Sequence, residues 1–212
     1  PPYVSDDDQN RANWSPRQLE SGFTSGRNPY RLKDYFHIDP EYGTDEDMKA
    51  FVKQAHELGL RVFFDLVYGH CGPNSNLWQS HPDWFKYDKN GNPLLTKYNF
   101  PIPDMSNSAV RTYFKTNMVN LILEYGADGF RCDAGYMLPA GAWEYITAKV
   151  RSEYPDTVFM LEGLGGRISV QEDLLTKAGL DWAYSELFQN YTRDEIKAFN
   201  NNTELKELIF VI

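Results

Sequence analysis

Apolar residues recur at helical spacing over 44–58, where Met48, Phe51, Val52, Ala55 and Leu58 line one face. Thr44 is placed to cap that helix, with Asp47 three positions on in a box-like arrangement. Gly59 follows as its stop. The next residues, 60–67, form a nearly continuous apolar run, which predicts a strand buried on both sides of a parallel sheet. The pattern then repeats. A helix is expected over 108–125, with Val110, Phe114, Leu121 and Ile122 inward and Gly126 as its stop. A strand is expected over 127–132, a helix over 140–153 carrying Trp143, Ile146 and Val150 on one face, and a strand over 157–161. A further strand is expected over 180–188, and a helix running into another strand over 205–212.

Strands alternating with helices at a spacing of roughly 30 residues are the repeat of βαβ units and imply a parallel α/β sheet. An open doubly wound sheet and a closed (β/α)8 TIM barrel both satisfy that alternation. The polar residues favour the barrel: Asp65 and His70, Arg131 and Asp133, and Glu162 all fall at the C-terminal ends of successive strands, which in a barrel converge on one mouth. One segment departs from the repeat. Residues 71–107 are too long for a plain connection and hold Trp78, Trp84, Phe85, Tyr87, Tyr98 and Phe100. They read as an inserted, aromatic-rich loop subdomain roofing the mouth, with a turn or small hairpin at Asp88 to Pro93.

Composition narrows the function. The net charge of −9 argues against a nucleic-acid or anionic-membrane partner, both of which draw on clustered Lys and Arg. No apolar run approaches the ~20 residues of a membrane helix. Aromatic residues make up 15% of the chain, which suits gripping ligands that are part apolar and part polar, as sugars are; a Tyr- and Phe-rich core is the other account. Cys71 and Cys132 form no disulfide framework or metal cluster and read as buried free thiols. Pro1-Pro2-Tyr3 reads as the middle of an element, so localisation is not legible.

The candidate chemistry lies at the strand ends. In Gly129-Phe130-Arg131-Cys132-Asp133, alternation puts Arg131 and Asp133 on one face and Phe130 and Cys132 on the other. A guanidinium beside a carboxylate lowers its pKa and holds it ionised, as a nucleophile requires; a structural ion pair is the alternative. Glu162 closes a wholly apolar strand, where a raised pKa would suit proton exchange; a rim Glu paired to a Lys is the plainer reading. Carboxylates on neighbouring strand ends are expected at about 5–5.5 Å, the separation for retaining glycoside hydrolysis. The glycines at 163–166 fit neither GxxxxGK[ST] nor GxGxxG, so a phosphate loop is weakly supported. His70 is either a ligand contact or a core imidazole, while His37, His56 and His81 read as structural or exposed.

These residues together resemble the α-amylase family, glycoside hydrolase family 13, over nearly the whole chain. The match is carried by Asp65-Leu66-Val67-Tyr68-Gly69-His70, by Gly129-Phe130-Arg131-Cys132-Asp133-Ala134, by Leu161-Glu162 and by Pro103-Asp104-Met105, with Asp39-Pro40-Glu41-Tyr42-Gly43-Thr44 resembling the family's segment that leads into its second helix. The resemblance implies a retaining hydrolase of α-linked glucans or maltooligosaccharides. It assigns Asp133 as nucleophile, Glu162 as acid/base and Arg131 as the positioner of Asp133. It also assigns His70 to the sugar at the cleaved bond, Tyr30 to stacking, and Asp65 to a mainly structural place near Arg131.

The departures matter equally. The position before His70 is Gly69 where many members have a calcium-linked Asn, which counts against a calcium cofactor, and Asp104 alone does not restore it. Tyr136-Met137 stands where a Lys-His pair is frequent, implying different recognition of sugars beyond the cleavage point. Arg31 follows Tyr30 where exo-acting α-glucosidases tend to carry Asp. The Asn-His-Asp motif with the family's third carboxylate is not found, so a barrel incomplete at both ends is expected. The alternatives are an α-glucan transglycosylase and an inactive or truncated glucan-binding barrel.

Overall fold

The computed structural model describes residues 1–6, 12, 19, 28–163, 167–185 and 208–210. Helix α1 (Asp45–Glu57) is followed by strand β1 (Phe63–Leu66), a short helix α2 (Asn76–Ser80) and the long helix α3 (Ser108–Tyr125). Strand β2 (Gly129–Cys132), helix α4 (Ala140–Arg151), strand β3 (Val158–Leu161), helix α5 (Ile168–Thr176) and strands β4 (Trp182–Ser185) and β5 (Leu208–Phe210) complete the order. The strands are all parallel and lie in chain order, β1-β2-β3-β4-β5. An open doubly wound sheet reverses its strand order at a switch point. This sheet does not reverse, and its sequential order is that of a barrel wall.

Local signals set the boundaries. Thr44 Oγ1 accepts the Asp47 N–H while the Asp47 carboxylate accepts the Thr44 N–H, closing a capping box at the start of α1. Gly126, at φ 75°, ends α3 in the left-handed conformation that costs an L-residue most. At the bottom of the sheet, Asp128 Oδ2 accepts from the Val62 N–H and pairs with His56. Asp181 Oδ2 accepts from the Phe159 N–H and pairs with Arg151. β2 and β4 are thus each tied at their entry to the strand before.

The outward face of the sheet is the core. Phe64, Leu66, Phe130, Cys132, Phe159 and Leu161 are buried against Phe114, Leu121, Trp143, Ile146 and Val150 of α3 and α4. The alternation expected around Arg131 is present: Phe130 and Cys132 are fully covered and Arg131 is not. Gly129 makes room on the inner face. A Cβ there would lie 2.6 Å from the Val158 carbonyl and 3.1 Å from the Phe63 ring, and Phe63 in turn stacks on Trp182 at 6.4 Å.

Two expectations are corrected, and one helix is added. The strand expected over 60–67 is confined to 63–66, and its burial alternates, because the inner face of a barrel wall is only half covered near its mouth. On α1 only Val52 and Ala55 are buried, while Phe51 and Leu58 are 60% and 77% exposed; the helix meets its neighbours through a narrower stripe than its apolar residues suggested. Helix α5 was not foreseen, because no side chain caps its start. Residues 208–210 form strand β5, in keeping with the strand expected to close the 205–212 segment. Residues 164–166, and parts of the segments expected over 180–188 and 205–212, lie outside the described residues.

The 71–107 segment holds α2, a 3-10 turn at Pro82–Trp84 and isolated bridges at Phe85–Pro103, Tyr87–Pro93 and Leu95–Pro101. The expected turn is there. Asp88 Oδ1 accepts from the N–H groups of Asn90 and Asn92. Among the described residues no helix is long and apolar enough to cross a membrane.

Candidate active site

Strand β2 delivers Arg131 to the inner face near the mouth, and the three carboxylates collect around it. Arg131 Nη1 donates to Asp65 Oδ1 at 2.6 Å and to Asp133 Oδ1 at 3.0 Å, and Nη2 lies 3.8 Å from Glu162 Oε2. The reason is register. Asp65 of β1 is the direct parallel partner of Arg131, Asp133 follows two residues on along the same face, and Glu162 is the first residue after the adjoining β3. One guanidinium therefore spans three strand ends. Its planar fork can do this where a Lys ammonium could not.

Asp133 is mostly covered, with 12% of its side chain exposed. Burial pushes its carboxyl up to about 6, outweighing the lowering by Arg131, while Asp65 and Glu162 push the same way as burial. This corrects the expectation from the sequence, in which Arg131 alone set the balance. Arg131 itself is held more firmly protonated by Asp65 and Asp133, against its own desolvation.

Glu162 is 8% exposed. Its Oε2 accepts the Ala134 N–H at 2.5 Å, its carbonyl accepts the Gly135 N–H at 3.1 Å, and its own N–H donates to the Cys132 carbonyl. The rim is thus not simply apolar. It contains a backbone donor aimed at the carboxylate.

His70 and Tyr30 meet at the edge of this cluster. His70 Nε2 is 2.9 Å from the Tyr30 carbonyl. A carbonyl only accepts, so Nε2 carries the hydrogen and Nδ1 of a neutral ring is left as an acceptor. Burial lowers the His70 pKa to about 4, which keeps the ring neutral. The ring stacks on Phe100 of the 71–107 segment at 5.0 Å, and the Tyr35 hydroxyl donates to the His70 carbonyl. Tyr30 is 36% exposed, and burial followed by the Asp65 charge raises the pKa of its hydroxyl.

All six residues singled out from the sequence, Asp65, His70, Arg131, Asp133, Glu162 and Tyr30, are therefore brought into one neighbourhood. Sequence reasoning gave three contributors no individual role. Tyr184 of β4 lies with its ring 5.9 Å from the Arg131 guanidinium, Phe100 backs His70, and Ala134 holds Glu162. Tyr184 could have been found as the residue two after Trp182 on the same strand face.

A calcium ion does not fit the residues at the position the resemblance suggested. Gly69 offers no side chain, and Asp104 Oδ1 is engaged by the N–H and hydroxyl of Ser106. Among the described residues no three His, Cys, Asp or Glu side chains gather as metal ligands. Tyr136 and Met137 lie in a 3-10 turn, Gly135–Met137, beside the mouth.

Comparison with known proteins bears on the family and the fold. The family model for the α-amylase catalytic domain matches residues 15–93. The α-1,4-glucan:maltose-1-phosphate maltosyltransferase of Arcanobacterium haemolyticum is 31% identical over 76% of this chain and 24% of its own length. The intracellular maltogenic amylase of Bacillus subtilis is 28% identical over 63% of this chain and 25% of its own. Among solved structures, an α-amylase from Lactobacillus plantarum superposes with a TM-score of 0.72 at 26% identity, over 95% of this chain and 47% of that one. The chain thus spans about a quarter of the length of these curated relatives. With its sequential parallel strands and its motifs at their ends, the chain is part of a (β/α)8 barrel and belongs to the α-amylase family, within the catalytic domain.

Proposed function

We propose that this chain carries the nucleophile and the acid/base of a retaining glycosidase acting on α-linked glucans or maltooligosaccharides. The observation that carries the reading is the single guanidinium of Arg131 set between Asp133 and Glu162 on adjacent strand ends. In the first step Asp133 Oδ attacks the anomeric carbon, the glycosidic C–O bond breaks, and the leaving oxygen takes a proton from Glu162. In the second, Glu162 takes a proton from water, whose oxygen displaces Asp133 from the same carbon with a second inversion. Arg131 fixes the direction of the Asp133 carboxylate. His70 accepts a sugar hydroxyl at Nδ1, and Tyr30 offers its exposed ring face to the sugar. The 71–107 segment forms an inserted subdomain over the mouth, reaching it through Phe100. No calcium step enters.

The same covalent intermediate can be taken by a sugar hydroxyl instead of water, and the maltosyltransferase relative favours keeping this second reading. Proton NMR of fresh products from maltooligosaccharides tests the first. The α-anomer must appear first; initial β-product would overturn the mechanism. Products longer than the substrate would assign transfer.

A further inference from the structure

Ala134 has φ 42° and ψ 39°, one of two non-glycine residues with positive φ among those described. That conformation costs an L-residue ~1 kcal/mol and persists only where its surroundings enforce it. Here it turns the chain sharply after Asp133, so that successive N–H groups of Ala134 and Gly135 both face Glu162, one to the carboxylate and one to the carbonyl. The turn is pinned from behind. Trp143 of α4 donates its indole N–H to the Gly135 carbonyl at 2.9 Å. Trp143 is 1% exposed and stacks on Tyr68, whose hydroxyl is itself fixed by Asn117 at 2.6 Å. Gly135 is packed so closely that a Cβ there would meet Leu161 at 2.6 Å.

We infer that Trp143 is a positioning residue for Glu162: its indole N–H holds the Gly135 carbonyl, which keeps the left-handed turn at Ala134 and so aims the Ala134 N–H at the Glu162 carboxylate. The inference rests on the acid/base role proposed for Glu162. It gives a core tryptophan a catalytic consequence beyond packing.

The test replaces the Trp143 indole in the full-length protein with 3-benzothienylalanine, which keeps the bicyclic shape and deletes only the N–H, alongside Trp143→Phe. Turnover is measured on a maltooligosaccharide, whose leaving group needs a proton, and on α-maltosyl fluoride, whose leaving group needs little. We expect kcat/KM on the maltooligosaccharide to fall about tenfold and kcat/KM on the fluoride, which reports the first step alone, to fall less than about threefold. Equal losses on the two substrates, or no loss on either, would overturn the inference, because a purely structural tryptophan does not distinguish leaving groups. Glu162→Gln is run in parallel. If it too fails to favour the fluoride, the acid/base reading of Glu162 has failed first, and the two failures are told apart.

Discussion

Arg131 Nη1 donates to Asp133 Oδ1 at 3.0 Å, yet the Asp133 carboxyl titrates near 6 rather than near 4. The pairing is real, but burial and the neighbouring carboxylates cost the charged form more than one guanidinium returns. An active site built this way holds its nucleophile ionised at neutral pH with little margin.

The first consequence is an acid limb in the rate. Asp133 must be ionised to attack, so kcat/KM on maltooligosaccharides should fall about tenfold per pH unit below pH about 6. In Arg131→Gln the lowering influence is gone, so the limb should move to higher pH while kcat drops by two orders of magnitude or about that. A pH–rate profile of both proteins checks it; an unmoved limb in the variant would show that another group controls it.

The same shift makes a statement about stability. The folded pKa lies above the ordinary value of 3.8, so ionising Asp133 costs the folded state as pH rises from about 4 to about 6, and above that the cost is complete. Asp133→Asn, which cannot ionise, should be inactive yet more stable than wild type at pH 7.5, on the order of 2 kcal/mol, with the advantage largely gone at pH 4. Thermal melts at the two pH values decide this.

His70 is assigned a neutral ring with a pKa of about 4. Its imidazole signals should therefore stay unchanged in NMR titrations from pH 8 to pH 5. A ring titrating near 6.5 would contradict the burial described here.

Below the carboxylates, Gly129 is required by space. Gly129→Ala would drive a methyl against the Val158 carbonyl and the Phe63 ring, so it should cost about 2–3 kcal/mol and lower Tm by several degrees. Differential scanning calorimetry measures this, and an unchanged Tm would mean that the floor of the barrel wall is looser than the contacts indicate.

Much of this was legible along the chain because the signals were local. The Thr44–Asp47 cap, the Gly126 stop and the alternation that turns Arg131 inward each follow from a few adjacent residues, and the structure has all three. What was not legible depended on contacts between distant elements. The burial that outweighs Arg131 at Asp133 comes from neighbouring strands, as does the Asp65 charge that adds to it. Phe51 and Leu58 fit a helical stripe, but only three-dimensional packing decides that Val52 and Ala55 are the covered pair. Ala134 gave no signal at all, since nothing in its identity announces a left-handed turn.

The central claim is that Asp133 becomes covalently bonded to the sugar. Its most direct test is peptide mapping by mass spectrometry after reaction with 5-fluoro-α-maltosyl fluoride, a substrate that slows release of the intermediate. The account predicts a glycosyl adduct on the peptide containing 129–133, localised to Asp133. An adduct on Asp65 or Glu162, or none at full substrate consumption, would contradict it.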